Sequence, residues 1–313
     1  MRYDRVAAEE FQPRESATDN TVMKTPVSVG KRIVKIVVSF VFYSGSRARR
    51  GLQRIMGRKL PGTCVVLYYH AVPAALRGRF AGQMDVLKRC AKPVRSDLQE
   101  PLENGVHHAV VTFHDAFVSV SDNAVPELAR RGIPATIFAP SGYLGERPQW
   151  IKDERHSDFG ELILDAKGLR SLESELVSIG SHTVSHPSLP TLSGDRAREE
   201  LRKSKNDLET ILGRPVELFA FPYGDYNEEL VGWTKQVGYR RVFTIEPNLA
   251  FSNPKEYVTG SCLVSPKDWG VEFRLKVLGA YRWSVPLQAF RRKIGHRFRK
   301  VSVPSARPQQ EKI

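Results

Sequence analysis

Cysteine is scarce in this sequence: Cys64, Cys90 and Cys262 are the three among 313 residues. None forms a CxxC pair, and an odd number cannot all pair within the chain. Neither a disulfide framework nor a cysteine metal site is therefore expected. Cys64 opens an apolar run and reads as a small buried hydrophobe, and free thiols fit a reducing compartment. Long apolar runs are missing as well. The uninterrupted stretch 36–43 covers about eight residues, where a membrane-spanning helix needs roughly 20. It leads into Arg47, Arg49 and Arg50, not into a small-residue cleavage site, so a secretory signal is not expected. There is no GxGxxG pattern, no GxxxxGK[ST] loop and no GxSxG elbow. Nucleotide binding and serine hydrolysis thus lack their usual supports. No internal repeat or low-complexity block is found.

What is present is positive charge, unevenly placed. The net charge of +14 accompanies an ordinary composition, with 41% hydrophobic and 26% charged residues. Residues 1–60 carry 13 Lys+Arg against 5 Asp+Glu, and residues 266–313 carry 12 against 3. The ends therefore hold +8 and +9, which leaves −3 for the middle. Basic ends suit an anionic partner surface; the plainer alternative is solvated tails. The organisation expected is a disordered tail over 1–26, a basic amphipathic segment over 27–60, a globular domain over 61–265 and a basic C-terminal extension over 266–313. Segment 27–60 fits a helix lying in an anionic membrane interface, and equally a helix packed on the main domain. No nucleic-acid motif appears, so no nucleic acid is expected as a partner. A cytoplasmic location, peripheral on the inner face of the membrane, is the expectation.

Short apolar runs bounded by turn signals read as buried strands at Cys64–Tyr69, Val110–Phe113, Ala135–Phe138, Val177–Ile179, Glu217–Phe221 and Arg241–Ile245. Helices are expected over Ser121–Arg131, capped by Ser121 or Asp122, over Asp195–Leu212, stopped by Gly213, and over Glu228–Val237. Strands alternating with such helices make parallel βαβ units, in an α/β open sheet or a (β/α) barrel. Both architectures gather their sites at the C-terminal strand ends.

Four segments stand at such ends: Tyr69-His70, Thr112–Asp115, Ser181–His186 and Phe221–Gly224. His182 and His186, four apart, would share one face of a helical turn and could bind one cation. With Asp115 they make two imidazoles and one carboxylate, a tridentate set that leaves a position for water. His114 and Asp115 would point apart on an extended chain, whereas a tight turn could bring both to the rim. His107 and His108 read as exposed loop residues before a strand.

Taken together, Thr112-Phe-His-Asp115, Gly132–Phe138, Ser181-His-Thr-Val-Ser-His-Pro187 and Phe219-Ala-Phe-Pro-Tyr-Gly224 resemble the polysaccharide deacetylase family with its NodB homology domain, over roughly residues 64–265. Leu67-Tyr-Tyr-His-Ala-Val72 resembles the branch whose first strand ends in Tyr-His. The resemblance implies a distorted (β/α) barrel and metal-dependent hydrolysis of an acetyl group, N-acetyl foremost, on an amino-sugar-containing glycan or lipid-linked sugar. It implies Zn²⁺ or a similar divalent ion at Asp115, His182 and His186. Substrate contacts are expected at Pro222, Tyr223 and His70, with the Tyr223 N–H, as the resemblance implies, holding the oxyanion.

The sequence departs from the family pattern at three places. Where the family writes Thr-Phe-Asp-Asp-Gly, this chain has Thr112-Phe113-His114-Asp115-Ala116. The metal-ligand carboxylate stays and the general base becomes His114. Phe221 stands near where many members carry arginine, and Ser261-Cys-Leu-Val-Ser265 lacks the late histidine that serves as general acid. His70 is a candidate for that acid or for a structural hydrogen bond. The alternative to an enzyme is a degenerate deacetylase scaffold that binds glycan or regulates.

Overall fold

The computed structural model describes residues 29–253 and 255–286. The tail expected over 1–26, and the expected extension from residue 287 onward, lie outside the described residues.

The chain runs α1 (Val29–Ile55), β1 (Thr63–Tyr69), α2 (Arg77–Cys90), β2 (Lys92–Pro93), β3 (His107–Phe113), α3 (Val125–Ala129), β4 (Ala135–Ala139), α4 (Ala166–Leu172), β5 (Val177–Ser181), α5 (Gly194–Leu212), β6 (Leu218–Ala220), α6 (Glu228–Val237), β7 (Arg241–Thr244), β8 (Val258–Gly260), β9 (Cys262–Leu263) and α7 (Gly270–Val277). The strands pair in the order β8-β7-β6-β5-β4-β3-β1-β9, every ladder parallel, with β2 added beside β3. Strands covered on both faces need apolar side chains in both directions, so they read as unbroken apolar runs.

Closure depends on one short segment. β8 and β9 are the two ends of the strand order, yet only Ser261 separates them. Residues 258–260 pair with β7 and residues 262–263 with β1. The Ser261 hydroxyl donates to the Thr244 carbonyl at the changeover. A single extended segment thus joins both edges, and the sheet becomes a nearly closed, distorted (β/α) barrel with helices around it.

Along β1 the period-2 alternation of a strand sorts the two layers. Val65, Leu67 and Tyr69 pack with α2 and α7 residues such as Phe80, Met84, Leu87, Phe273 and Val277. Cys64 and Val66 join Val110, Phe138, Leu218 and Phe243 in a second cluster inside the barrel. Cys64 is fully buried, as its place in an apolar run predicts. Residues beyond 265 contribute to the core through Phe273 and Val277.

Two sequence expectations need correction. Residues 121–131 do not form one regular helix. A wide π-type turn covers Val120–Ala124 and α3 follows, with no side-chain cap at Ser119. Pro126 is the physical reason, because it has no N–H to give to the carbonyl four residues back. His107 and His108 are not exposed loop residues. Both lie in β3, where the β1 ladder extends to Thr63↔His107. His108 is buried, and His107 bonds Thr63 Oγ1 at 2.8 Å and the Val277 carbonyl at 2.7 Å.

α1 docks along the outside of the barrel. Arg32 donates to Glu272 at 2.6 Å, and Trp283 Nε1 donates to Ser39 Oγ at 2.8 Å. Among the described residues no helix is long and apolar enough to cross a membrane.

Barrel closure makes Gly260 a sensitive position. A Cβ there would collide with the Glu246 carbonyl oxygen and crowd Asn248. Gly260→Ala is expected to destabilise the protein by about 1–3 kcal/mol, read as a lower denaturation midpoint in urea with an unchanged slope.

Candidate active site

The site stands at the C-terminal lip of the barrel, where alternation alone would not build it. On β3, Val111 and Phe113 belong to the outer core and Val110 to the inner one. His114 continues the inner set: its ring is stacked on Tyr68 at 4.7 Å and meets Phe138 edge-on at 5.5 Å. Asp115 would then point outward, but its φ of 70° turns the chain and lays the carboxylate at the lip. The turn that could have brought both residues to the rim brings only Asp115 there. His114 remains 4% exposed inside the barrel mouth.

The two histidines meet Asp115 by a different route from the one the sequence suggests. The segment after Ser181 is no helical turn; residues 182–186 are a loop leaving β5. His182 continues the strand, its N–H bonded to the Ala139 carbonyl at 2.9 Å. Positive φ at Thr183 (69°) and His186 (55°) folds the loop back, so the two rings lie 4.8 Å apart. The Glu200 carboxylate on α5 fixes this loop. It accepts from the Val184 N–H at 2.8 Å, the Ser185 N–H at 2.9 Å and the Ser185 hydroxyl at 2.6 Å. Thr183 Oγ1 accepts from the His186 N–H at 3.0 Å.

Asp115 Oδ1 lies 3.3 Å from His186 Nε2 and 3.7 Å from His182 Nε2. One ligand atom from each of the three residues falls within 4.8 Å of the others, and all three residues are buried. Asp115 Oδ1 has no hydrogen-bond donor. His182 Nδ1 donates to the Ala220 carbonyl at 2.7 Å, which turns the Nε2 lone pair toward Asp115. His186 Nδ1 has no hydrogen-bond partner. Aromatic packing orients that ring instead: Trp150 stacks on it at 4.2 Å and 17°, and Tyr223 meets it edge-on at 4.8 Å. A buried carboxylate oxygen without a donor, facing two imidazole nitrogens, has the donor set of a divalent-metal site.

Burial pushes His182 down to about 3, the neighbouring His186 adding to it. His114 is driven well below the ordinary imidazole value by burial first and His182 second. Burial raises Asp115, but the His186, His70 and His182 imidazoles outweigh it and hold the carboxyl below its usual range. Asp115 is therefore a carboxylate and His182 a neutral ring, as ligation requires, with a further neutral ring at His114 beside them.

His70 follows β1 and reaches the other side of the same carboxylate, with Nε2 4.0 Å from Asp115 Oδ2 and its side chain 33% exposed. It makes edge contacts with Tyr68 and His114 at 5.6 and 5.8 Å. Pro222 is buried and Tyr223 half exposed in the loop after β6, where Tyr223 also has positive φ (58°). Of six non-glycine residues with positive φ among the described residues, five (Asp115, Ala116, Thr183, His186 and Tyr223) lie in this site. Such backbone costs about 1–3 kcal/mol each, so the surrounding contacts hold the lip in place. The sequence reading misses Trp150 and Glu200, because one sits in an irregular loop and the other is one among many charged residues of α5, and neither spacing marks them.

Comparison with known proteins bears on the family and the fold. A family model described as polysaccharide deacetylase matches residues 103–242. YxkH of Bacillus subtilis (strain 168) is 26% identical over 172 residues, 55% of this chain and 55% of its own. The peptidoglycan-N-acetylmuramic acid deacetylase PdaA of the same organism is 28% identical over 117 residues, 37% of this chain and 38% of its own. The chain thus spans about half or less of the length of the curated relatives it matches. IcaB from Ammonifex degensii superposes with a TM-score of 0.58 at 23% identity, covering 71% of this chain and 98% of that one. The Streptococcus pyogenes deacetylase PplD, in complex with acetate, gives 0.56 at 19%, covering 70% and 99%. These last two are likenesses of fold.

Glu200 ties the histidine loop to α5 without belonging to the metal set. Glu200→Ala is expected to lower divalent-metal affinity by about 10–100-fold with unchanged far-ultraviolet circular dichroism, as read by calorimetric titration of the metal.

Proposed function

Residues 103–242 belong to the polysaccharide deacetylase family, and from that premise we propose that the protein hydrolyses an acetyl group, N-acetyl foremost, from an amino-sugar-containing glycan or lipid-linked sugar. The observation that carries this reading is the convergence of Asp115, His182 and His186 at the barrel lip. They would hold the ion, and two imidazoles with one carboxylate suit Zn²⁺. When bound, such an ion polarises the acetyl carbonyl and makes a water acidic near neutral pH.

The chain's own residues divide the remaining work. His114 is the general base. Burial keeps its ring neutral, with Nε2 lacking a partner and able to accept a proton. The same burial makes it a weaker base than an ordinary imidazole, whereas a catalytic base works best with a pKa near the operating pH. His70, more exposed and beside Asp115 Oδ2, returns a proton to the leaving amine. The Tyr223 N–H donates to the developing oxyanion. The Tyr223 ring and Pro222 form the wall against which the sugar lies. The name of PdaA, which acts on an N-acetylated amino sugar of peptidoglycan, supports the substrate class. We place the reaction in the cytoplasm at the inner membrane face, a placement supported by three free cysteines.

Metal-loaded protein is expected to release acetate from N-acetylated amino-sugar oligomers. His182→Ala should abolish both metal binding and acetate release; acetate release that survives this change would refute the ligand assignment. A second pair of variants examines His114. His114→Gln should reduce kcat by about 10²–10⁴-fold with metal binding retained, and His114→Asp should raise kcat at least tenfold over the natural protein. The buried, weakly basic His114 also favours a second reading, a glycan-binding protein on a deacetylase scaffold. An inactive natural protein that gains acetate release only as His114→Asp would establish that reading instead.

A further inference from the structure

α1 is built in three zones that the hydrolytic site does not use. At 100° per residue, the stripe through Arg32, Ile36, Ser39, Ser46 and Arg50 faces the barrel, and these residues are buried or half-buried. Arg32 reaches Glu272 and the Lys267 carbonyl after β9, while Arg50 reaches the Pro61 carbonyl before β1. The helix therefore runs antiparallel to β1, its first turn at the lip and its last turn at the opposite end.

Opposite Ser39, within about 40° of the far side, stand Val34, Val37, Val41, Ala48, Leu52 and Ile55, all exposed. Val34 is 61% exposed, Val41 65% and Ile55 85%. An apolar ridge turned away from the protein is not accounted for by folding. Between ridge and packed stripe lie basic residues on both flanks: Lys31, Lys35 and Arg49 on one side and Arg47 on the other, all exposed. The helix carries seven Lys+Arg and no Asp or Glu. At the lip, Trp269 beneath Arg32 and the adjacent Val271 are also exposed.

We propose that α1 is a membrane-docking face, its ridge immersed in the interface of an anionic lipid bilayer and its flanking Lys and Arg side chains snorkelling to the headgroups. The charge pattern selects lipid over a second copy of this chain. Two such helices would bring seven positive charges against seven with no acidic residue on either, whereas an anionic leaflet complements both the charge and the ridge. A helix of this kind lies in the plane of the bilayer, so a barrel resting on α1 opens its mouth along the membrane surface. Nothing in this inference depends on the hydrolytic reading.

The test is co-flotation of the full-length protein with vesicles of phosphatidylglycerol and phosphatidylcholine, against vesicles of phosphatidylcholine alone. The natural protein should float with the anionic vesicles and weakly or not at all with the neutral ones. Val37→Glu with Val41→Glu, both on the exposed ridge, should weaken partitioning at least tenfold while the thermal midpoint stays unchanged. His182→Ala should float like the natural protein, which separates this result from any failure of the catalytic reading. Undiminished flotation of the double variant would assign binding to charge alone and overturn the proposal. A natural protein that fails to float, yet forms a dimer the double variant abolishes in sedimentation velocity, would overturn it in favour of self-association.

Discussion

The arrangement of the lip follows from one buried carboxylate. Asp115 is 3% exposed, with an oxygen that receives no hydrogen bond from the protein. A charge in that position is costly unless something compensates it, and the nearest groups are imidazole nitrogens 3.3 and 3.7 Å away. Every unusual feature nearby serves this meeting. Left-handed backbone at Asp115, Thr183 and His186 aims the ligands, Glu200 clamps the histidine loop, and the Ala220 carbonyl and Trp150 fix the two rings.

The barrel makes that strain affordable. Its strands are apolar on both faces, and helices cover the outer layer. Closure through residues 258–263 ties the first strand to the last pair. A lip on so rigid a wall can hold backbone conformations that an isolated loop would relax. The β1–β3 ladder, which pairs Tyr69 with Phe113, places His70 against the Asp115 carboxylate from the side opposite His182 and His186.

The His114 substitution gains its meaning from burial. An aspartate at the inner end of β3 would be a second carboxylate beside Asp115. The imidazole there stacks on Tyr68, stays uncharged and adds no negative charge to the pocket. The consequence is a site that keeps the candidate ligand set Asp115, His182 and His186, while the proton chemistry proposed for it would fall to two histidines in unlike surroundings, one enclosed and one more open to solvent. α1 adds a separate layer of organisation, because its packed stripe and its ridge use the same helix for two different surfaces.

The alternating strands and helices, the strand-end position of Asp115, His182 and His186, and the stop at Gly213 were all legible in the sequence, because each depends on local periodicity or on one residue's backbone preference. The wide turn at Val120–Ala124 was not read, although Pro126 marked it; the helical pattern around it masked the missing donor. The pairing of His107 and His108 into β3 was out of reach, since their partners lie on β1 and α7. So were Glu200 and Trp150, whose roles exist only once α5 and a long loop fold against the histidine segment. The sequence by itself determined which residue types stand at the strand ends and that segment 27–60 is basic and amphipathic. Tertiary structure alone decided that Asp115 faces the lip while His114 faces inward, because a single left-handed turn, held by contacts from distant elements, reverses what strand alternation would give.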